Sequence, residues 1–180
     1  REDEKIEEVK RRAEEVLKES KKIIEDVLKK SEEVIKEVRE ILEKAHRISA
    51  KVLDEVRKTR DDKSVEDILR EVEKRDKDLE RELERVIEEV KRRSDTSVER
   101  VKRENDRSKR EIEKLDDLVK RGLDVDEVVE RVERIVTKNL RLAERVVEEN
   151  EKLVEDLRRL VADVVRTSKK LVDDVRERVR

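Results

Sequence analysis

Cysteine, methionine, proline, phenylalanine, tyrosine and tryptophan are all missing from this 180-residue chain, and glycine occurs once. Without cysteine there is neither a disulfide framework nor thiolate chemistry. Without aromatics there is no platform on which nucleobases could stack. Long apolar runs are missing too. Nothing approaches the roughly 20 consecutive apolar residues that span a bilayer, and the opening segment "REDEKIEEVK" has no apolar stretch of the secretory-leader kind. The expectation is a soluble chain with no evident address, consistent with cytoplasmic recombinant expression. Charge of one sign is also scarce in net terms. Lys plus Arg number 51 and Asp plus Glu 53, so 58% of residues are charged while the formal net charge is -2. Such balance provides no field to gather nucleic acid, acidic substrates or a membrane surface.

What is present is apolar periodicity. The apolar third of the chain is drawn only from Val, Leu, Ile and Ala. In the first third, the columns Ile6/Ile24/Leu42, Val9/Val27/Ala45 and Leu17/Ile35/Leu53 repeat every 18 residues. Eighteen residues are five turns at 3.6 per turn, so the stripe runs along the axis and a nearly straight helix is expected. The phase fails at Arg60, Lys63 and Asp67. A second stripe, Val65/Leu83/Val101/Val119, starts after Ser64, read here as the N-cap with Glu66 and Asp67 in the first turn. It runs without a break through "RRSDTSVER" at 92–100. Gly122 suits a left-handed C-terminal position, Asp124 can cap the next helix with Glu127 at its third residue, and Leu123 can staple onto Val128. A third stripe, Val125/Ala143/Val161/Val179, then holds phase to the end. The pattern predicts an all-α fold, an up-down-up antiparallel bundle of three long, nearly straight helices (about 2–60, 65–121 and 125–180) forming one domain over 1–180.

Polar residues interrupt the apolar columns, and buried without partners each would cost on the order of 1 to 3 kcal/mol. Their heights in the antiparallel arrangement suggest pairing. Ser20 falls level with Asn105, Ser108 and Asn139. Ser31 falls level with Ser94, Ser97 and Asn150. His46 and Ser49 fall level with Asp76, Thr167 and Ser168. All three helices contribute to all three layers, and such layers fix register because a slip would strand them in an apolar core.

With aliphatic layers between them, the 18-residue columns, the Ser20/Asn105/Asn139 and Ser31/Ser94/Asn150 layers and the restricted alphabet resemble de novo designed helical bundles with buried hydrogen-bond networks. The resemblance covers the whole chain. It implies a structural scaffold or a recognition element without evolved catalysis, needing no cofactor.

The single histidine, His46, invites chemical readings. With Asp76 and either Ser49 or Ser168 it has the ingredients of a hydrolase triad. That chemistry also needs an exposed nucleophile, an oxyanion hole and room for substrate, which regular helices without a nearby glycine do not offer. A structural His46 donating to Asp76 is the expectation instead, and the chain is read as no enzyme and without a small-molecule substrate. "EKAH" has the Glu-x-x-His spacing of carboxylate-bridged metal bundles, but no second histidine exists and Glu43 points about 100° away from the Ile6 column, so no metal site is expected. An imidazole in a buried layer would make that layer acid-sensitive.

Helices 1 and 3 carry apolar stripes about 140° wide against about 100° for helix 2, with 20 and 23 apolar residues against 15. Either helix 2 is a polar lid on a self-contained monomeric rod, or a groove between helices 1 and 3 accepts a further helix from a partner or a second copy. In the second case the chain is a recognition module.

Overall fold

The computed structural model describes residues 2–60 and 62–179. They form three helices, α1 (Glu2–Thr59), α2 (Lys63–Lys120) and α3 (Val125–Val179), in an up-down-up antiparallel arrangement, with no strand among the described residues. The helices stop where the apolar phase is lost, because a stripe that no longer faces its neighbours contributes no burial to hold the next turn. α2 continues through Arg92–Arg100 as its unbroken columns require.

The α1–α2 turn differs from the sequence expectation. The cap of α2 is Asp62 and not Ser64. Its Oδ1 accepts the backbone N–H of Val65 at 3.0 Å and the hydroxyl of Ser64 at 2.7 Å, while its carbonyl receives the Glu66 N–H at 3.1 Å. A carboxylate satisfies the exposed amides at a helix start and also opposes the positive end of the dipole, so it displaces a neutral hydroxyl from that role. Arg60 closes the turn by donating to Asp62 Oδ2 and to the carbonyl of Val179, both at 3.0 Å.

The α2–α3 turn has the form its sequence suggests. Gly122 has φ +106°, Leu123 N–H reaches Leu118 O at 3.0 Å and Gly122 N–H reaches Val119 O at 3.1 Å. These two bonds make the Schellman ending that a left-handed glycine permits. Leu123 packs on the cluster that holds Val128.

The chain groups into two compact units, each built from one segment of every helix. In the first (residues through Ser31, and 92–152), one aliphatic cluster contains Ala13, Leu17, Ile112, Leu115, Val128 and Val132. Another contains Ile24, Val27, Val98, Val101, Ala143 and Val146. In the second (residues 32–91, and from Leu153 onward), one cluster is centred on Val38, Leu83, Ile87 and Leu157. The other is centred on Leu53, Val56, Leu69 and Val175.

The three helices bury similar sets of side chains. α2 is therefore not a polar lid. The surplus apolar residues of α1 and α3 end up half-buried or exposed along their edges, among them Ile41 and Ile48, the large hydrophobics most open to solvent.

Candidate functional site

The only concentrations of buried polar chemistry among the described residues are the layers between the aliphatic clusters. Ser20, Ser31, Ser49, Ser94, Asn105, Ser108, Asn139, Asn150 and Ser168 are all buried. Small or amide side chains leave room for one another where Leu or Ile would fill the space, so each layer puts polar groups where the apolar core would otherwise continue.

The layer of Ser31, Ser94 and Asn150 draws on all three helices. Ser31 Oγ lies 2.9 Å from Asn150 Oδ1, to which it donates, and 2.7 Å from Asn150 Nδ2, from which it accepts. Ser94 Oγ donates to the same Oδ1 at 2.6 Å. One amide thus ties two hydroxyls from two other helices. Ser97, one turn along α2, is half-buried and outside this set.

The layer of Ser49, Asp76 and Ser168 also spans the three helices. Ser168 Oγ donates to Asp76 Oδ1 at 2.8 Å. That uses its only hydrogen, so in the 3.3 Å contact between Ser49 Oγ and Ser168 Oγ it is Ser49 that donates. The chain of bonds runs from α1 through α3 to a half-buried carboxylate on α2.

Two residues expected in that layer lie elsewhere. His46 does not donate to Asp76. Its side chain is 53% exposed and its Nδ1 sits 3.0 Å from Glu80 Oε1. Lys10, exactly two 18-residue repeats earlier, likewise reaches across to α2 and meets Asp116 at 2.7 Å. That column is the rim of the stripe facing the acids of α2, so His46 takes a surface partner. Its protonation therefore breaks no buried bond, and the expected acid sensitivity of the layer loses its basis. Thr167 is also exposed, and its hydroxyl returns to the Asp163 carbonyl one turn back at 2.8 Å.

The remaining layer is buried but incompletely bonded. Asn139 Nδ2 donates to Ser108 Oγ and to the Ile135 carbonyl, the latter at 3.1 Å. Ser20 Oγ, Asn139 Oδ1 and both amide atoms of Asn105 have no hydrogen-bond partner. The expected mutual bonding of Ser20, Asn105 and Asn139 is not formed. Height alone is insufficient here, because Ser108 and Asn105 are three residues apart and project about 60° apart around α2. Ser108 shares the side of Glu104, which faces Lys138 of α3, whereas Asn105 projects within about 20° of Asp116, which faces Lys10 of α1. The sequence held that angular signal, since the two polar positions of α2 cannot both aim at Asn139.

Chemically, these layers hold structure. No group of three or more His, Cys, Asp or Glu able to hold a metal occurs among the described residues, and no helix is long and apolar enough to cross a membrane. Ser168 and Asp76 meet without an imidazole between them, so the proton relay of a hydrolase triad is not assembled. Two surface carboxyls are held below their ordinary value of 3.8. For Asp62 the main cause is the Ser64 hydroxyl, followed by the Val65 amide, and for Asp116 it is the hydrogen bond from Lys10. Compared with known proteins, the chain matches no family model, no curated protein and no solved structure.

Proposed function

We propose that this chain is a designed structural scaffold in which buried polar layers specify the pairing and register of three helices, and that it performs no catalysis. The observation that carries this reading is spacing. Polar layer residues occur at Ser20, Ser31 and Ser49 in α1, at Asn105, Ser94 and Asp76 in α2, and at Asn139, Asn150 and Ser168 in α3. Each series has the same steps of 11 and then 18 residues. These are near-whole numbers of turns, three and five, so the polar side chains return to one face. An aliphatic-only core and helices without a single internal proline or glycine support the same reading.

A layer that specifies register penalises any shifted pairing by leaving its members unbonded. Spin labels at Lys29→Cys and Glu148→Cys, exposed positions within one unit, report the α1–α3 register. A single narrow distance is expected for the parent. Replacing Ser31 and Ser94 with Val and Asn150 with Leu should broaden it or add populations displaced by about 10 Å, two helical turns. An unchanged single distance would remove the register role. Ester hydrolysis above buffer that disappears in Ser168→Ala would overturn the non-catalytic reading.

The exposed Ile41 and Ile48 favour a second reading, in which the same framework is a recognition module that receives a further helix along the α1–α3 edge.

A further inference from the structure

Two ion pairs frame a stretch of the α1–α3 edge within one unit. Glu37 of α1 meets Arg158 of α3 at 3.4 Å, and Glu55 meets Arg176 at 3.9 Å. Because these glutamates reach α3, the line joining them marks the α3-facing side of α1. Ile41 and Ile48 lie within about 40° of that line at 100° per residue. They are 43% and 57% exposed. From α3, Val165 is half-buried in this stretch and Ala162 is exposed, a rare uncharged residue on a surface otherwise dominated by charge. The result is a short apolar strip, with its two isoleucines one heptad apart, about 10 Å along the axis.

The charges beside the strip are biased. The acids on its line, Glu37 and Glu55, are already committed to arginines of α3. Lys44 and Lys51 of α1 project about 40° to 80° outward from the isoleucines, and Lys169 of α3 follows Val165 by one turn. All three are exposed and none forms an ion pair. The exposed acids nearest this group are Glu40, one turn before Lys44, and Asp173, one turn beyond Lys169.

A second copy of the chain would meet a like charge at the centre of its seam. A two-fold axis midway between Ile41 and Ile48 would set Lys44 of one copy against Lys44 of the other at the centre of the seam, with Lys51 falling about level with Glu40. Like charges at such a seam oppose association.

We infer that this strip docks a separate amphipathic helix whose apolar residues recur at heptad spacing and whose flanking positions carry Glu or Asp. The inference rests on the recognition reading above and adds its partner's chemistry. The helix lays its apolar seam over Ile41, Ile48, Ala162 and Val165, while its carboxylates meet Lys44, Lys51 and Lys169. Apolar contact supplies affinity, and the lysines select orientation and reject basic helices.

The test uses the full chain and two synthetic helical peptides with the same leucine heptads, one flanked by glutamates and one by lysines, titrated calorimetrically at low salt. The glutamate peptide should bind and the lysine peptide should not. Ile41→Glu with Ile48→Glu, both at exposed positions, should weaken binding on the order of 100-fold while leaving helicity unchanged. Reversing Lys44, Lys51 and Lys169 to Glu should switch the preference to the lysine peptide. Equal binding of both peptides, or preference of the parent for the lysine peptide, would overturn the acidic partner while keeping the recognition reading. Binding of neither would remove both, whereas sedimentation equilibrium showing a dimer of the parent that Ile48→Glu dissolves would overturn the acidic partner in favour of a second copy while keeping the recognition reading.

Discussion

Ser49 of α1 and Ser168 of α3 bring their hydroxyls to 3.3 Å at a sequence separation of 119, and Ser31 and Asn150 meet across the same two helices at the same separation. Each unit holds one of these contacts, and each contact fixes the α1–α3 offset of its own unit at the same 119 residues. Both contacts then extend to α2, through Asp76 and Ser94. A third helix approaching from the opposite direction turns a pairwise contact into a level that all three must share. This is why polar layers specify arrangement more sharply than aliphatic ones, whose contacts tolerate a shift of one repeat.

Asn150→Leu should be destabilising even though it adds apolar volume. The asparagine is the acceptor for both Ser31 and Ser94, and its loss leaves two buried hydroxyls without their shared partner. At about 1 to 3 kcal/mol for each stranded group, less what the leucine gains, a net loss of about 1 to 3 kcal/mol is expected in urea unfolding. A variant as stable as the parent would mean that the serines find backbone acceptors at no cost.

Asn105→Leu should move the other way. Neither atom of this amide has a partner, so substitution removes two unsatisfied buried groups and breaks no bond. A gain of about 1 to 3 kcal/mol in the same measurement is expected. A loss larger than about 1 kcal/mol would show that the amide does bond in solution, and the pair of variants separates a working layer from an incomplete one.

Asp62→Ala should lower the melting temperature at neutral pH, since the carboxylate caps α2 through the Val65 amide and the Ser64 hydroxyl. Its folded-state pKa is depressed below 3.8, with the Ser64 bond as the leading cause. A depressed acid stabilises the fold above its unfolded value and loses that contribution as pH falls through the lower, folded-state value. The melting difference between parent and variant should therefore persist down to about pH 4 and shrink below it. Asp62→Asn should retain much of the cap at neutral pH, because an amide oxygen can accept the same N–H. A difference that is constant from pH 7 to pH 2 would contradict a charge-dependent cap.

The helices, their order and the heights of the polar residues were legible in the sequence because each depends on the 3.6-residue period, which 18-residue columns report without ambiguity. Direction around the helix was less legible. Ser108 and Asn105 have nearly the same height but face different neighbours, and only the neighbours' positions decide which one reaches Asn139. The cap of α2 lies two residues before the expected Ser64, because Ser64 and Asp62 are both acceptable caps and the geometry of the turn, with Arg60 on the same carboxylate, selects between them. The rim position of His46 was visible in its column partner Lys10, whose charge has no place in a core. Ile41 lies in the wide stripe of α1, whereas Ile48 shares its column with Arg12 and Lys30, and the exposure of both depends on the packed neighbours.

His46→Ala should change stability by less than about 1 kcal/mol, at pH 5 and at pH 8 alike. The ring is half-exposed against Glu80, itself about half-exposed, so solvent screens whatever charge the pair develops. The polar bonds of the neighbouring layer, Ser49 to Ser168 to Asp76, do not include the imidazole and should persist without it. Asp76→Ala at the same level should behave differently, because it removes the acceptor of a buried serine, and a cost of about 1 to 3 kcal/mol is expected. Guanidinium unfolding of the two variants at both pH values makes the comparison. If the histidine variant proved the more damaging, or lost its effect only in acid, His46 would belong to the layer after all.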